Sequence, residues 1–282
     1  MPEAAAARRR RPARRINLFL WLGATLLAAF AVVAVAGERL APYDPNAQDL
    51  FAMLEGPSAA HLLGTDNVGR DILSRLVVGT RFTLSIALAS VFFAGLGGIA
   101  LGSVAGYFGG LTDRLVIGIV DLLLTVPNIV LAIAIAAAAG SSATGLTIAI
   151  TASFIPPLAR LVRGRVIELR EEDFIAAAVT VGMSHARILL RHVLPNAATV
   201  IIIELSLNAG QAVLIGSALG FLGLGVQPPA PEWGTMLGAS REYLTVAPHL
   251  VVAPGIAISL LVLAFNAFGD GLRDVFDPAS RT

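Results

Sequence analysis

The sequence contains no cysteine and no lysine. Without cysteine, the chain can form neither disulfides nor thiolate metal sites, and redox chemistry gives no indication of its compartment. Without lysine, it cannot form a Walker A loop, because the lysine of that loop must reach the nucleotide phosphates. All 20 basic residues are arginines. If ATP hydrolysis powers this protein, a different chain must carry it out.

Patterns that indicate catalysis, metal binding or nucleic-acid binding are also missing. The histidines are too scattered to suggest a ligand set, and no H-E-x-x-H motif occurs. Residues 182–186 read G-M-S-H-A, which lacks the last glycine of a nucleophile elbow and has no predicted strand before it. Glycine-rich phosphate loops are absent. We therefore predict no catalytic, cofactor-binding or metal-binding residue and no nucleic-acid partner.

Charged residues are scarce, and apolar residues are abundant. Only 14% of the residues are charged, 56% are hydrophobic, and the mean hydropathy is +0.79, far above that of a soluble domain. Six apolar stretches approach or exceed the ~20 residues that a helix needs to cross a bilayer. They are residues 18–36, 82–107, 115–139, 146–161, 199–222 and 250–268. We predict an all-α polytopic membrane protein with six transmembrane helices.

These stretches divide the chain into three parts. The first is a cytoplasmic basic tail, residues 1–17, and the second, residues 18–81, is a transmembrane helix followed by an extracytoplasmic segment. The third, residues 82–282, is a core of five transmembrane helices that contains a cytoplasmic loop, residues 160–198. The first apolar stretch could also be a signal peptide, since residues 34–36 read A-V-A. Its length favours an uncleaved anchor.

The distribution of arginines predicts the orientation in the membrane. With the N-terminus assigned to the cytoplasm, 15 arginines lie on the cytoplasmic side and 5 on the opposite side. This is the bias that the positive-inside rule describes. We therefore predict that the N-terminus, the loop 160–198 and the C-terminus are all cytoplasmic.

Small and polar residues within the apolar stretches indicate how the helices pack. Gly98, Gly102 and Gly106 recur every four residues, which allows another helix to approach closely. Prolines at 127 and at 156–157 predict breaks, which are tolerated at membrane depth only where protein or water satisfies the freed carbonyls.

Three polar residues share one face of the fifth predicted transmembrane helix. Glu204, Asn208 and Gln211 are spaced i, i+4 and i+7. Polar groups are costly against lipid, so this face should turn toward protein or water. It either lines a translocation path or forms hydrogen bonds to other helices of the same chain.

The first long polar segment, residues 37–81, contains an amphipathic pattern at residues 67–78 that predicts a helix. Asp66 and Asp71 lack the alternating oxygen ligands of a calcium loop. We expect them to cap this helix and to pair with arginines rather than to hold a ligand.

A charged segment, residues 160–196, separates the fourth and fifth apolar stretches. Residues 176–178 favour a helix, Gly182 interrupts it, Ser184 can cap a second short helix, and Pro195 should end that helix. The mixture of apolar and acidic side chains suits a helical hairpin that docks in a partner's groove. The alternative is a simple connector between two membrane helices.

Four motifs resemble signatures of ABC importer permeases. The cytoplasmic loop motif of that family, A-A-x-x-x-G followed by Leu-Pro, is matched by Ala177, Ala178, Gly182, Leu194 and Pro195. The motifs at residues 64–75, 223–244 and 265–278 resemble those of the dipeptide and oligopeptide branch. Position 176 holds alanine where the family's loop often has glutamate. With Phe174, the bulkiest apolar residue of the hairpin, the loop-motif residues are the predicted ATPase-coupling residues.

The resemblance implies a type I importer permease fold with a cytoplasmic coupling hairpin, in the inner membrane of a bacterium. It implies a transport subunit, not an enzyme, that works with a second related permease chain, two cytoplasmic ATPase subunits and an extracytoplasmic solute-binding protein. The branch includes importers of dipeptides, oligopeptides, glutathione and nickel complexes, so the solute stays open. The alternative is a self-contained carrier or channel, which should show inverted repeats or charges midway along its spans.

Overall fold

Long apolar helices dominate the protein, as its composition predicts. The computed structural model describes residues 17–276. Within that range there is no β-strand, and the only β-type pairing is a single bridge between Thr65 and Asp71. The all-α fold class is confirmed. The predicted basic tail, apart from Asn17, lies outside the described residues.

Ten α-helices follow one another in the described range. They are α1 (Leu18–Leu40), α2 (Ile72–Phe108), α3 (Gly110–Leu124), α4 (Asn128–Ala139), α5 (Ala143–Arg170), α6 (Asp173–Thr180), α7 (His185–Ile188), α8 (Leu194–Phe221), α9 (Trp233–Ser240) and α10 (His249–Phe276). A π-helical segment (Leu189–Val193) joins α7 to α8, and a short 3₁₀ helix (Arg241–Tyr243) follows α9.

Five helical stretches are long and apolar enough to cross a membrane: α1, α2, α5, α10 and the stretch His185–Phe221. The predicted third span is not one straight helix. It consists of α3 and α4, whose axes meet at a bend of 91°. If this pair is counted as one span, the protein has six. The bend occurs at Pro127, the residue before α4. A proline has no N–H to donate and keeps the preceding residue out of helical conformation.

The helix α2 differs from the prediction at its start and in its length. It begins at Ile72 rather than at residue 67, because the Oδ1 of Asp66 accepts hydrogen bonds from the N–H groups of Val68 and Arg70 and holds them in a turn. From there it runs without a break to Phe108, which corresponds to a length of ~55 Å at 1.5 Å per residue.

The glycines of α2 allow α5 to pack closely against it, as their spacing predicts. A Cβ atom at Gly98 would lie 2.8 Å from the side chain of Leu158, and one at Gly102 would lie 2.8 Å from the Cβ of Val162. Both distances are shorter than van der Waals contact. These glycines therefore allow close packing between two helices of the same chain.

The helix α5 includes residues that were predicted to lie in the cytoplasmic loop. It continues through Pro156 and Pro157 to Arg170, so the break predicted at these prolines is wrong and residues 160–170 are helical. The end of the predicted loop is helical too, because α8 begins at Leu194. Only residues 171–193 project as a separate hairpin.

The order of the helices places two different structures at the two ends of the bundle. We call the end formed by residues 41–71 and 222–248 the loop end. We call the other end, where residues 171–193 lie, the hairpin end. At the hairpin end α1 and α10 are in close contact, since a Cβ at Gly271 would lie 2.7 Å from the Cβ of Leu20.

Candidate functional site

The hairpin turns at Gly182, which adopts a left-handed conformation with φ +78°. The N–H of Gly182 donates to the carbonyl of Val179 at 2.9 Å, and the N–H of Met183 donates to the carbonyl of Ala178 at 3.2 Å. These two bonds form a Schellman motif, which ends α6 and satisfies two of its last carbonyls. The predicted interruption at Gly182 is confirmed. A Cβ at this position would meet no atom of the chain within 4 Å, so the backbone conformation and not crowding requires glycine here.

One side of the hairpin packs on the membrane helices. Ile175, Ala178, Ile188 and Val193 are buried in a cluster that includes residues of α5. The hairpin also carries large apolar side chains that the rest of residues 17–276 leaves substantially exposed. These are Phe174, Val179, Val181 and Leu190, with exposed fractions of 41%, 51%, 76% and 64%. Exposed apolar groups concentrated on one surface are typical of a protein interaction site.

The predicted coupling residues separate into two groups. Phe174, Ala177, Gly182 and Pro195 are exposed, and Leu194 is partly buried. Ala178 is only 6% exposed, so it supports the hairpin from inside and cannot be reached by a partner's side chain.

Pro195 does not end the second helix of the hairpin, contrary to the prediction. It lies in the first turn of α8, and the chain is helical from His185 to Phe221. A proline ring normally clashes with the carbonyl four residues earlier. Here the preceding residues 189–193 form a π-helix, in which the N–H of Leu194 reaches back to the carbonyl of Leu189. This wider turn changes the register just before the proline.

The hairpin is fastened to the end of α2 by contacts that the sequence did not indicate. The hydroxyl of Tyr107 lies 3.0 Å from Nδ1 of His185, and the two rings meet edge to face. From α5, Nη1 of Arg170 donates to the carbonyls of Gly106 and Tyr107 at 3.4 and 3.3 Å. The first residue of α7 is thus held by the last turn of a helix that reaches the other end of the protein.

The three residues of the polar face predicted on α8 differ in how far they are exposed. Glu204 is partly buried, Asn208 is 5% exposed, and Gln211 is exposed. Within this chain, Asn208 is therefore enclosed by the bundle, whereas Gln211 faces outward. The three residues therefore do not share one environment, although they lie on one face of the helix.

At the loop end, the motif at residues 64–75 forms a tightly bonded turn. The Oδ2 of Asp71 accepts from the backbone N–H and the hydroxyl of Ser74 at 2.7 and 2.6 Å, which caps α2. The Oδ2 of Asp66 lies 2.7 Å from Nε of Arg70. The predicted capping and arginine pairing are confirmed.

Arg75 connects the two loops of the loop end. Its side chain is 5% exposed, and Nη1 donates to the carbonyl of Pro45 at 2.9 Å and to that of Pro229 at 3.4 Å. Its Nε lies 3.6 Å from the Oδ2 of Asp66. A guanidinium can bind several acceptors at once because its donors form a rigid fork. The motifs at residues 64–75 and 223–244 thereby become one structural unit.

Glu232 is a buried carboxylate at the centre of the loop end, and the sequence did not single it out. It is 2% exposed and caps α9, where it accepts from the backbone N–H groups of Gly234 and Thr235, both at 2.8 Å. The hydroxyls of Thr235 and of Thr83 in α2 donate to it at 2.9 and 3.4 Å. Burial raises the pKa of Glu232, although these hydrogen bonds act in the opposite direction.

The chain matches the family model described as "Binding-protein-dependent transport system inner membrane component" over residues 98–282. It is 44% identical over 266 residues to the dipeptide transport system permease protein DppC of Alkalihalophilus pseudofirmus, covering 94% of this chain and 88% of that one. It is 43% identical over 255 residues to the glutathione transport system permease protein GsiD of Pectobacterium atrosepticum, covering 89% and 85%.

A solved structure supports the fold independently. The methionine ABC transporter MetNI, in an inward-facing conformation, contains a chain that superposes with a TM-score of 0.59 at 20% identity. The superposition covers 72% of this chain and 96% of that one. At this level of identity the likeness concerns the fold alone.

Proposed function

Because this chain belongs to the family of binding-protein-dependent transport system inner membrane components, we propose that it forms, with a second permease chain, the path through which an ATP-driven importer takes up short peptides. It is an ABC importer permease, hence a transport subunit and not an enzyme or a self-contained carrier. ATP hydrolysis belongs to separate subunits, in agreement with the absence of a Walker A lysine.

The proposal of a peptide as solute rests on the similarity to two curated relatives. One is named for dipeptide transport and the other for glutathione transport, and each matches nearly nine tenths of this chain or more. Dipeptides and glutathione are both small, carry an ammonium and a carboxylate, and contain peptide bonds. We therefore expect solutes of two or three residues.

The importer can be tested by purifying the complex through a tag on this chain. Two ATPase chains, a second permease chain and an extracytoplasmic binding protein are the expected partners. In proteoliposomes, dialanine and glutathione should be compared with methionine, and a short peptide should stimulate ATP hydrolysis together with its own uptake. Uptake without any associated ATPase would overturn the proposal, and stimulation by methionine alone would overturn the solute class.

The exposed apolar side of the hairpin is the proposed contact with an ATPase subunit. Phe174→Ala should weaken ATPase association about tenfold, because an aromatic anchor at an interface contributes ~1.4 kcal/mol or more. The measurement is the amount of ATPase that co-purifies, relative to the amount of this chain. Phe19→Ala, which removes a similarly exposed phenylalanine in α1, is the matched control.

Two results of the Phe174→Ala experiment would contradict this role. Unchanged co-purification would mean that the side chain does not touch the ATPase. Lower expression with normal association would mean that Phe174 packs against this protein's own helices.

The orientation of the termini and the hairpin is also a proposal. We expect Ser184→Cys to be protected from an impermeant thiol reagent in intact spheroplasts and to react after lysis. The native chain has no cysteine, so no background labelling arises. Glu55→Cys, in the exposed part of the loop end, should show the opposite pattern. Labelling of residue 184 in intact spheroplasts would reverse the proposed orientation.

We assign the outward-facing end of the α8 polar face to the translocation path. Gln211→Leu should lower peptide uptake severalfold with an unchanged unfolding temperature, and Gln211→Cys should react with small water-soluble thiol reagents. Asn208→Leu should instead lower the unfolding temperature, because a larger, branched side chain must then fit in a site that the bundle encloses. Ser217→Cys, buried in the same helix, serves as an unreactive control. An unreactive cysteine at 211, with normal uptake by Gln211→Leu, would exclude this residue from the path.

A further inference from the structure

A cavity of about 730 Å³ lies at the loop end between α1, the first turns of α2 and two loop segments. Sites for small organic ligands typically have volumes of this order. It is separate from the hairpin and from the polar face of α8, and neither the capping network of Glu232 nor the turn at residues 64–71 contributes to its lining.

The helices supply the apolar half of the cavity. Ala34 and Val35 come from the last turns of α1, and Val78 and Phe82 come from the beginning of α2. Both helices are long and apolar enough to cross a membrane. The cavity therefore begins where two membrane helices end, at the depth where acyl chains meet headgroups.

Charged groups of both signs form the polar half. Glu38, Asp44 and Arg81 line it, so two carboxylates stand against one guanidinium. Nη1 of Arg81 lies 3.8 Å from Oε1 of Glu38, longer than a hydrogen bond, and the side chains of the two residues are 70% and 81% exposed. Both groups can therefore bind a ligand. A ligand with only a negative charge would be disfavoured by the excess of carboxylate.

We infer that this cavity binds a phospholipid whose headgroup carries a primary ammonium, phosphatidylethanolamine. The phosphate lies at Arg81, whose guanidinium matches phosphate oxygens. The ammonium, two carbons away, lies between the carboxylates of Glu38 and Asp44 and donates hydrogen bonds to them. The parts of the acyl chains nearest the headgroup lie along the apolar half of the cavity. The inference does not depend on which solute the importer carries.

The test uses the complex purified through this chain and three lipids with identical oleoyl chains. Retention of phosphatidylethanolamine, phosphatidylcholine and phosphatidylglycerol is measured by native mass spectrometry after detergent exchange. Phosphatidylethanolamine should be retained about fivefold better than either competitor. This ratio is the upper end of the effect that one exposed ion pair has on affinity. Phosphatidylcholine has no N–H to donate, and phosphatidylglycerol has no cation. Equal retention of all three lipids would overturn the inference.

Variants locate the bound lipid. Arg81→Gln and Glu38→Gln should each remove most of the preference for phosphatidylethanolamine, whereas Arg241→Gln and Glu242→Gln, exposed elsewhere at the loop end, should not. Val35→Trp fills the apolar half at a position that is 90% exposed, so it should lower retention without affecting folding. Preserved preference in both glutamine variants, or undiminished retention by Val35→Trp, would place the lipid elsewhere.

A free zwitterionic peptide has the same two charges without acyl chains. Millimolar dialanine should not displace the retained lipid. If it does, and if it protects a cysteine placed at Ser85 from labelling in lipid-free detergent, the cavity is a peptide site and the lipid assignment is wrong.

Discussion

Gly182→Val is expected to abolish most of the solute-stimulated ATP hydrolysis while the chain still inserts in the membrane. The native φ of +78° is accessible to glycine, but a β-branched residue there costs more than the ~1–2 kcal/mol typical of left-handed conformation. The hairpin can avoid this cost only by giving up its Schellman bonds. That change would reorient α6, and with it the exposed side chains of Phe174 and Val179, relative to α7.

Two further variants separate backbone conformation from side-chain bulk. Gly182→Asn should retain most of the stimulation, because asparagine tolerates the left-handed region. Gly164→Ala, at a helical position in α5 where a Cβ would also meet nothing within 4 Å, should behave like the wild type. The readout is the ratio of solute-stimulated to basal hydrolysis, measured together with co-purification. Normal stimulation and uptake in Gly182→Val would refute a coupling role for this turn.

Glu232→Gln is expected to destabilise the loop end although it hardly changes the size of the side chain. Both carboxylate oxygens accept from backbone N–H groups at 2.8 Å, so an amide nitrogen in either position faces a donor. A buried donor left without an acceptor costs about 1–3 kcal/mol. The midpoint of thermal unfolding should fall, and amide exchange should accelerate first in α9. Glu242→Gln, an exposed carboxylate nearby, should change neither.

The pH dependence distinguishes this explanation from a simple loss of packing. Burial raises the folded-state pKa of Glu232 above the ordinary value of 4.5. Its contribution to stability is therefore complete below pH 4.5 and is lost as the pH rises through the folded-state pKa. A protonated carboxyl oxygen still has a lone pair for a backbone N–H, whereas an amide nitrogen has none. The stability difference between wild type and Glu232→Gln should shrink with rising pH, and a pH-independent difference would contradict the buried-carboxylate interpretation.

Hydropathy and local motifs predicted the class of the molecule and several of its details. The apolar stretches predicted the membrane helices, because a chain in lipid must satisfy its backbone hydrogen bonds within the helix. Asp71 as a cap, Gly182 as an interruption and the close packing at Gly102 follow from interactions with near neighbours or from the lack of a side chain. The loop and signature motifs were enough to identify the family.

Predictions failed where a neighbouring turn changed the effect of a residue. Pro195 was expected to end a helix, but the π-helical turn before it lets the chain continue. The amphipathic pattern at residues 67–78 was assigned one helix, but the carboxylate of Asp66 holds its first residues in a turn. An amphipathic pattern predicts which side chains share an apolar face. It does not predict which backbone groups a side chain will bind.

By itself, the sequence determined that this is a helical membrane protein with a turn at Gly182, because these features depend on hydropathy and on local conformation. That it is a permease followed from the resemblance of its motifs to a known family. Only the tertiary structure decided which residues of a motif face inward. It buried Ala178 and Asn208 while leaving Phe174 and Gln211 exposed. It also joined Tyr107 to His185 and surrounded Glu232 with donors from two helices, across separations of 78 and 149 residues. Such contacts depend on how the helices pack, and no periodicity within one helix encodes them.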